Sequence, residues 1–266
     1  PVNKAIISHG HADHSRWGHQ HYIMHYDTIP IAKHRLGGIH VSGVEYGESF
    51  SINGVKFSLH PAGHVIGSAM IRVEYQGEVW VFSGDYKDEP DGVSEPFQPV
   101  KCNTFITECT FGLPAFKWKP QNEVMQEINQ WWKKNREDGR TSVLFVYALG
   151  KAQRVMKYLD TSIGNVYTHG AIENLTEVLR PLIDLPETTK ITRDTKKENL
   201  KGNMVIAPPS AHGTSWIKKM VPYVTASASG WMTFRGTRRR RAIDQGFVLS
   251  DHCDWDGLLY SIRESQ

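Results

Sequence analysis

Residues 8–15 read SHGHADHS, placing three histidines and an aspartate in the six positions from His9 to His14. The preceding KAII (residues 4–7) is a short apolar run with β-branched Ile, and predicts a buried strand that delivers the cluster to a loop at its end. His9 and His11 alternate by two, so an extended backbone turns both imidazoles to one side, while Asp13 and His14 fall where the chain bends into its next element. Imidazole and carboxylate are the donors that Zn²⁺, Mn²⁺ or Fe²⁺ accept where a position stays open for water. Two ligand sets can therefore face two metals at the end of a strand. The competing reading is a solvated His-rich loop, and the H-x-H-x-D-H spacing disfavours it.

With 266 residues the chain can fill one large domain or two smaller ones. Its hydrophobic content is 39%. No apolar run approaches the roughly 20 residues of a membrane span and no secretory leader pattern opens the chain, so a cytoplasmic protein with no membrane partner is expected. Cys102, Cys109 and Cys253 are too few and too scattered for a disulfide framework or a C-x-x-C site, which predicts reduced thiols. The net charge of +3 permits a nucleic-acid partner without demanding one. Charge is densest in FRGTRRRRAID, where Arg235 is followed by Arg238, Arg239, Arg240 and Arg241. This run sits between SASGWMTF, which reads as a Gly-rich aromatic turn, and the apolar strand GFVLS. The arginines are thus tethered to the fold as candidate phosphate contacts, with solvated surface as the alternative.

Further strands are expected in VKFSLH, AMIRVEY, EVWVFSGD and TFITE, separated by NG, QG and SGD turn signals. The pattern then changes. NEVMQEINQWWKKNR (122–136) spaces Val124, Ile128 and Trp131 or Trp132 as an amphipathic helix does. SVLFVYALG runs into a helical KAQRVMKYLD, and NVYTHG into AIENLTEVLR, which argues for a parallel α/β unit. NMVIAPPS reads as a strand and SWIKKM as a short helix. The expected division is a β-rich part over residues 1–112, a mixed α/β insertion over 113–240, and a return segment over 241–266.

A binuclear site needs donors beyond one cluster. His64 lies in PAGHVIGSA, a Gly-bracketed loop after a strand, and Asp85 in FSGDYK ends the apolar run EVWVF. Each alone reads as a loop residue; beside the first cluster both become ligand candidates. Lys151 follows Ala-Leu-Gly at a helix start, where it could meet phosphate or simply face solvent. His169 and His212 read as loop histidines of the insertion.

SHGHADHS, the GH of PAGHVIGSA and the D of FSGDYK resemble the successive metal motifs of the metallo-β-lactamase fold. ITECTFG (106–112), FVYALGKAQR (145–154) and LSDHCDW (249–255) more narrowly resemble the β-CASP nucleases, in particular the bacterial ligase-associated DNA exonucleases, also labelled mRNA 3′-end-processing-factor-like proteins. The resemblance runs over nearly the whole chain. It implies an α/β metallo-β-lactamase αββα sandwich carrying an inserted β-CASP α/β domain. It also implies two divalent metals, Zn²⁺ or else Mn²⁺, with His9, His11 and His64 on the first, Asp13 and His14 on the second, and Asp85 bridging. Glu108 and His252 would stand by the scissile phosphate, the histidine as proton donor or phosphate contact oriented by the acid.

The implied activity is a metal-dependent phosphodiesterase, a DNA exonuclease of ligase-associated repair, with an ATP-dependent DNA ligase or a helicase as partner. An RNase of the 3′-end-processing type and a non-catalytic nucleic-acid-binding pseudo-nuclease are the alternatives. Members of that family have strands before the first cluster and a last ligand histidine after His252. Neither is found here, so a sandwich truncated at both ends, with a weaker second metal site, is expected.

Overall fold

The computed structural model describes residues 1–266 except Arg235, Thr237, Arg238, Arg240 and Arg241. The chain forms two units, one of Pro1–Lys117 with Asp251–Gln266 and one of Trp118–Ser250.

In the first unit, β1 (Lys4–Ile6), β2 (His21–His25) and β3 (Val41–Val44) make a parallel three-stranded sheet in that order, and α1 (Thr28–Leu36) links the last two. Five strands form the second sheet: β4 (Ser49–Ile52), β5 (Val55–Pro61), β6 (Ala69–Tyr75), β7 (Glu78–Phe82) and β8 (Thr104–Ile106). It is antiparallel from β4 to β7, and β8 joins parallel to β7. Asn53-Gly54 and Gln76-Gly77, all at positive φ, close the two tight hairpins. That is the mirror-image turn whose twist suits paired strands.

Alternation along β2 sorts its side chains. Tyr22 and Met24 pack with Ala32 and Leu36 of α1, while Ile23 joins Val44, Leu59 and Ala69 between the two sheets. The opposite face of the larger sheet, through Met70 and Val81, meets Leu258 of the chain's last helix. The first unit is therefore layered helix, sheet, sheet, helix.

The second unit opens with α2 (Gln121–Glu137) and β9 (Thr141–Phe145), followed by α3 (Lys151–Lys157), β10 (Val166–Thr168), α4 (Gly170–Leu179), β11 (Thr189–Lys190), α5 (Lys197–Leu200), β12 (Met204–Ala207), β13 (Tyr223–Ala228) and β14 (Gln245–Phe247). All six strands are parallel, in the order β11-β10-β12-β9-β13-β14. Every residue of β9 and β12 is buried, as expected of central strands covered on both faces. One face packs on Val124, Ile128 and Trp132 of α2, and the other on Leu200, Ile217 and Met220. The chain then returns to the first unit in α6 (Trp255–Glu264), whose first turn is capped by Asp254 accepting from the Gly257 N–H at 3.0 Å.

One local expectation changes. The turn read in SASGWMTF starts later: Ser227 and Ala228 still belong to β13, and from Ser229 the chain leaves the sheet into a 3₁₀ segment over Gly230–Thr233. SWIKKM forms the expected short helix, of 3₁₀ type, over Ser215–Met220. Among the described residues no helix is long and apolar enough to cross a membrane.

Candidate metal centre

Three strand ends of the first unit supply the cluster. After β1, the chain passes Ser8 to His9 and then folds back, with the His14 and Ser15 N–H groups both donating to the His11 carbonyl at 3.2 and 2.9 Å. Arg35 of α1 braces this turn, donating to the Gly10 carbonyl at 2.6 Å. After β5, the His64 loop is tied by the Ser68 hydroxyl, which accepts from the N–H groups of His64 and Val65 at 3.1 and 3.2 Å.

Two glycines allow the loops to close on one another. A Cβ on Gly63 (φ +72°) would lie 2.2 Å from the Lys87 carbonyl oxygen, and one on Gly84 (φ +55°) would lie 2.8 Å from the Ser8 Cβ. Gly84 leads directly to Asp85.

The side chains converge. Nitrogens of His9, His11 and His64 and a carboxylate oxygen of Asp85 all lie within 4.8 Å of one another. The two Asp85 oxygens divide their neighbours: Oδ2 is 3.5 Å from His9 Nε2 and 3.7 Å from His64 Nε2, and Oδ1 is 3.5 Å from His14 Nε2. His14 Nε2 also lies 3.7 Å from Asp13 Oδ2, and the Asp13 side chain is largely exposed. His64 Nδ1 sits 2.8 Å from the Asp251 carbonyl. A carbonyl only accepts, so Nδ1 carries the proton and Nε2 keeps a lone pair, 3.1 Å from His11 Nδ1.

Among the described residues, buried His9 Nε2 has no hydrogen-bond partner. An orphaned polar atom of this kind is costly in a native interior, and a cation ligated there removes the cost. Burial, then the neighbouring imidazoles, holds His9 well below the ordinary histidine range. Burial followed by His252 and His11 does the same for His64. Both are thus neutral, the form a metal accepts. Burial pushes the Asp85 carboxyl up. The donor set of His9, His11, His64 and Asp85 could hold a divalent cation, and His14 stands between the carboxylates of Asp13 and Asp85 beside it.

A further group joins Asp85 with Glu108 and His252, again within 4.8 Å. His252 Nδ1 lies 2.8 and 2.9 Å from the two Glu108 oxygens. The carboxylate also accepts from the Tyr86 N–H at 3.0 Å and the Thr110 hydroxyl at 2.5 Å. Burial raises the Glu108 carboxyl, but His252, Thr110 and the Tyr86 N–H together outweigh it and the net shift is downward. Burial likewise lowers His252, and Glu108, Asp85 and Asp251 together outweigh that, so its net shift is upward.

The remaining candidates lie in the second unit. Lys151 is buried, with its ammonium 5.1 Å from the centroid of the Tyr147 ring. Arg239 is exposed, whereas Arg238, Arg240 and Arg241, like Arg235, lie outside the described residues. Sequence reasoning did not find Ser68, Arg35 or the Asp251 carbonyl. Arg35 and the carbonyl carry no motif, and Ser68 could have been suspected only from the small residues around His64. The three cysteines are free thiols.

No family model matches the chain. A protein named probable DNA ligase from Opitutus terrae is 29% identical over 264 residues, 97% of this chain and 25% of that protein. Endoribonuclease YSH1 of Saccharomyces cerevisiae is 34% identical over 122 residues, 45% of this chain and 15% of that protein. Its Schizosaccharomyces pombe namesake is 33% identical over 123 residues, 45% of the chain and 16% of its own length. The chain thus spans a quarter or less of these relatives. In fold it is similar to the crystal structure of a protein of unknown function from Enterococcus faecalis V583, with a TM-score of 0.65 at 11% identity, covering 98% of this chain and 73% of that one. The relatives are thus named for work on nucleic acids, one as a DNA ligase and two as endoribonucleases.

Proposed function

We propose that the chain is a metal-dependent phosphodiesterase that trims nucleic-acid ends, DNA foremost, with the first unit a metallo-β-lactamase sandwich and the α/β unit a β-CASP insertion. The observation that carries this reading is the division of Asp85, whose two oxygens face two separate imidazole sets. A single structural ion needs no such carboxylate; a pair of cations sharing one ligand does.

His9, His11, His64 and Asp85 would hold one Zn²⁺ or Mn²⁺, and Asp13, His14 and Asp85 the other. When bound, such ions lower the pKa of water and offset charge on the phosphodiester oxygens. The chain's own contribution is positional. Glu108 fixes the His252 ring through Nδ1, and the other ring nitrogen, Nε2, would be the atom to give a proton to the departing oxygen. Ser83 and Tyr86 hold Glu108 in turn: its N–H donates to the Ser83 hydroxyl at 3.1 Å and its carboxylate receives the Tyr86 N–H.

A DNA ligase or a helicase acting on the same ends in the cytoplasm is the proposed partner, since the relative matched along nearly the whole chain is named a probable DNA ligase. A second reading, RNA as substrate, is favoured by the endoribonucleases that match nearly half of the chain.

The test incubates end-labelled single-stranded DNA and the matching RNA with the protein and Zn²⁺ or Mn²⁺. The expected result is shortening of DNA that a chelator abolishes, reduced by roughly a hundredfold or more in His11→Ala and His252→Ala. Faster shortening of RNA would transfer the assignment to the second reading. Cleavage of neither strand would remove both.

A further inference from the structure

The parallel sheet of the second unit reverses its order between β9 and β13: from β9 the chain continues toward β10 on one side, and from β13 to β14 on the other. In open parallel sheets such a point leaves a crevice beyond the carboxyl ends of the strands, where ligands bind. A cavity of about 440 Å³ lies here, within the usual range for small-molecule sites.

Phe145 and Ser227, register partners at the ends of β9 and β13, line it with Ala242 and Ile243 from the approach to β14. His212 stands edge-on to Phe145 at 5.2 Å, and Tyr147, 50% exposed, completes the lining. Among the described residues neither the His212 ring nitrogens nor the Ser227 hydroxyl has a hydrogen-bond partner. The cavity thus offers an aromatic surface together with unsatisfied donors and acceptors, the complement of a planar heterocycle with a polar edge.

The surroundings extend the same chemistry. At the same sheet edge, His169 follows β10, two strands from β9, and meets Trp216 at 4.8 Å, while Trp231, 39% exposed, follows β13. The exposed Arg239 is tied to the cavity wall, its carbonyl accepting the Ala242 N–H at 3.1 Å. Planar rings interleaved with a cationic side chain are what a single strand needs, since every base has a π-face and every linkage a charge.

We propose that this cavity is a nucleobase subsite, where one unpaired base of a single-stranded substrate stacks on Tyr147 and meets His212 and Ser227 with its polar edge. The proposal rests on the reading of the chain as acting on nucleic acid.

The test compares binding of a short phosphorothioate oligothymidylate with an abasic strand of the same length and linkage, by fluorescence anisotropy. Base stacking accounts for roughly 5- to 100-fold in affinity per base. The intact protein is therefore expected to prefer the oligothymidylate by at least about fivefold. Tyr147→Ala, and separately Ser227→Leu to fill the cavity, should erase that preference while leaving the abasic strand's affinity unchanged. Tyr147→Phe should retain it. Equal affinity of the intact protein for both strands, no binding of either, or a preference that survives both substitutions would overturn the subsite. Cleavage of an ordinary strand is scored separately. Base-dependent binding without cleavage would remove the hydrolytic reading and keep the subsite, and cleavage without base preference would do the reverse.

Discussion

Gly63 shows how narrowly single residues define the candidate metal centre. Its φ of +72° is one that L side chains rarely adopt, and the backbone carbonyl of Lys87 occupies the place of a Cβ. Gly63→Ala is therefore expected to displace the His64 loop, costing more than about 1 kcal/mol and weakening Zn²⁺ binding, measured by denaturation midpoint and by titration against a chromophoric chelator. Unchanged affinity would mean that the loop tolerates the shift.

Cys253 makes a second prediction. Burial, then Asp88, pushes its thiol well above the ordinary value, and its sulfur receives the Asp88 N–H at 3.2 Å. Only the thiolate attacks disulfide reagents, so Cys253 should react with Ellman's reagent only as the protein unfolds, whereas the exposed Cys109 should react in the native state. Comparison of Cys109→Ser and Cys253→Ser reaction traces decides it.

The histidine cluster was legible at this scale because residue type and spacing together leave few other uses. Lys151 was not: beside glycine and alanine it reads as a surface or phosphate-facing residue, and nothing local announces that its ammonium is buried against a ring four residues back.

At the scale of elements, the sequence was readable wherever a period was kept. α2 spans Gln121–Glu137, close to the expected 122–136, because its apolar positions recur at helical spacing. Of the two adjacent tryptophans, Trp132 is the fully buried one, and its Nε1 donates to the Gly202 carbonyl at 3.3 Å. Trp132→Ala should cost roughly 3–5 kcal/mol, from the lost ring and the carbonyl left without its donor, seen as a lowered guanidinium midpoint. A loss below about 1 kcal/mol would show that the core collapses to fill the space. β13 escaped notice because only its Ser227-Ala228 end was read, which carries no β-branched signal, whereas Tyr223, Val224 and Thr225 at its start do carry one. The β2–α1–β3 stretch was passed over for a related reason: each piece is short, and its apolar residues are interrupted by histidines.

For the molecule as a whole, ligation and folding should be coupled. Zn²⁺ at about 100 times its dissociation constant should add about 2.7 kcal/mol of stability, and His9→Ala should remove most of the gain. Differential scanning calorimetry with and without the ion checks this; a Zn²⁺-induced shift of equal size in the variant would separate the stabilisation from this centre.

The bond between His64 Nδ1 and the Asp251 carbonyl, separated by 187 residues, carries one more consequence. All of residues 118–250 must be synthesised between these two partners. A nascent chain halted before Asp251 already holds His9, His11, His64 and Asp85, yet lacks the group that fixes the His64 tautomer and the histidine that pairs with Glu108. Order of synthesis therefore sets a sequence of assembly: this centre is completed only after the α/β unit has been made.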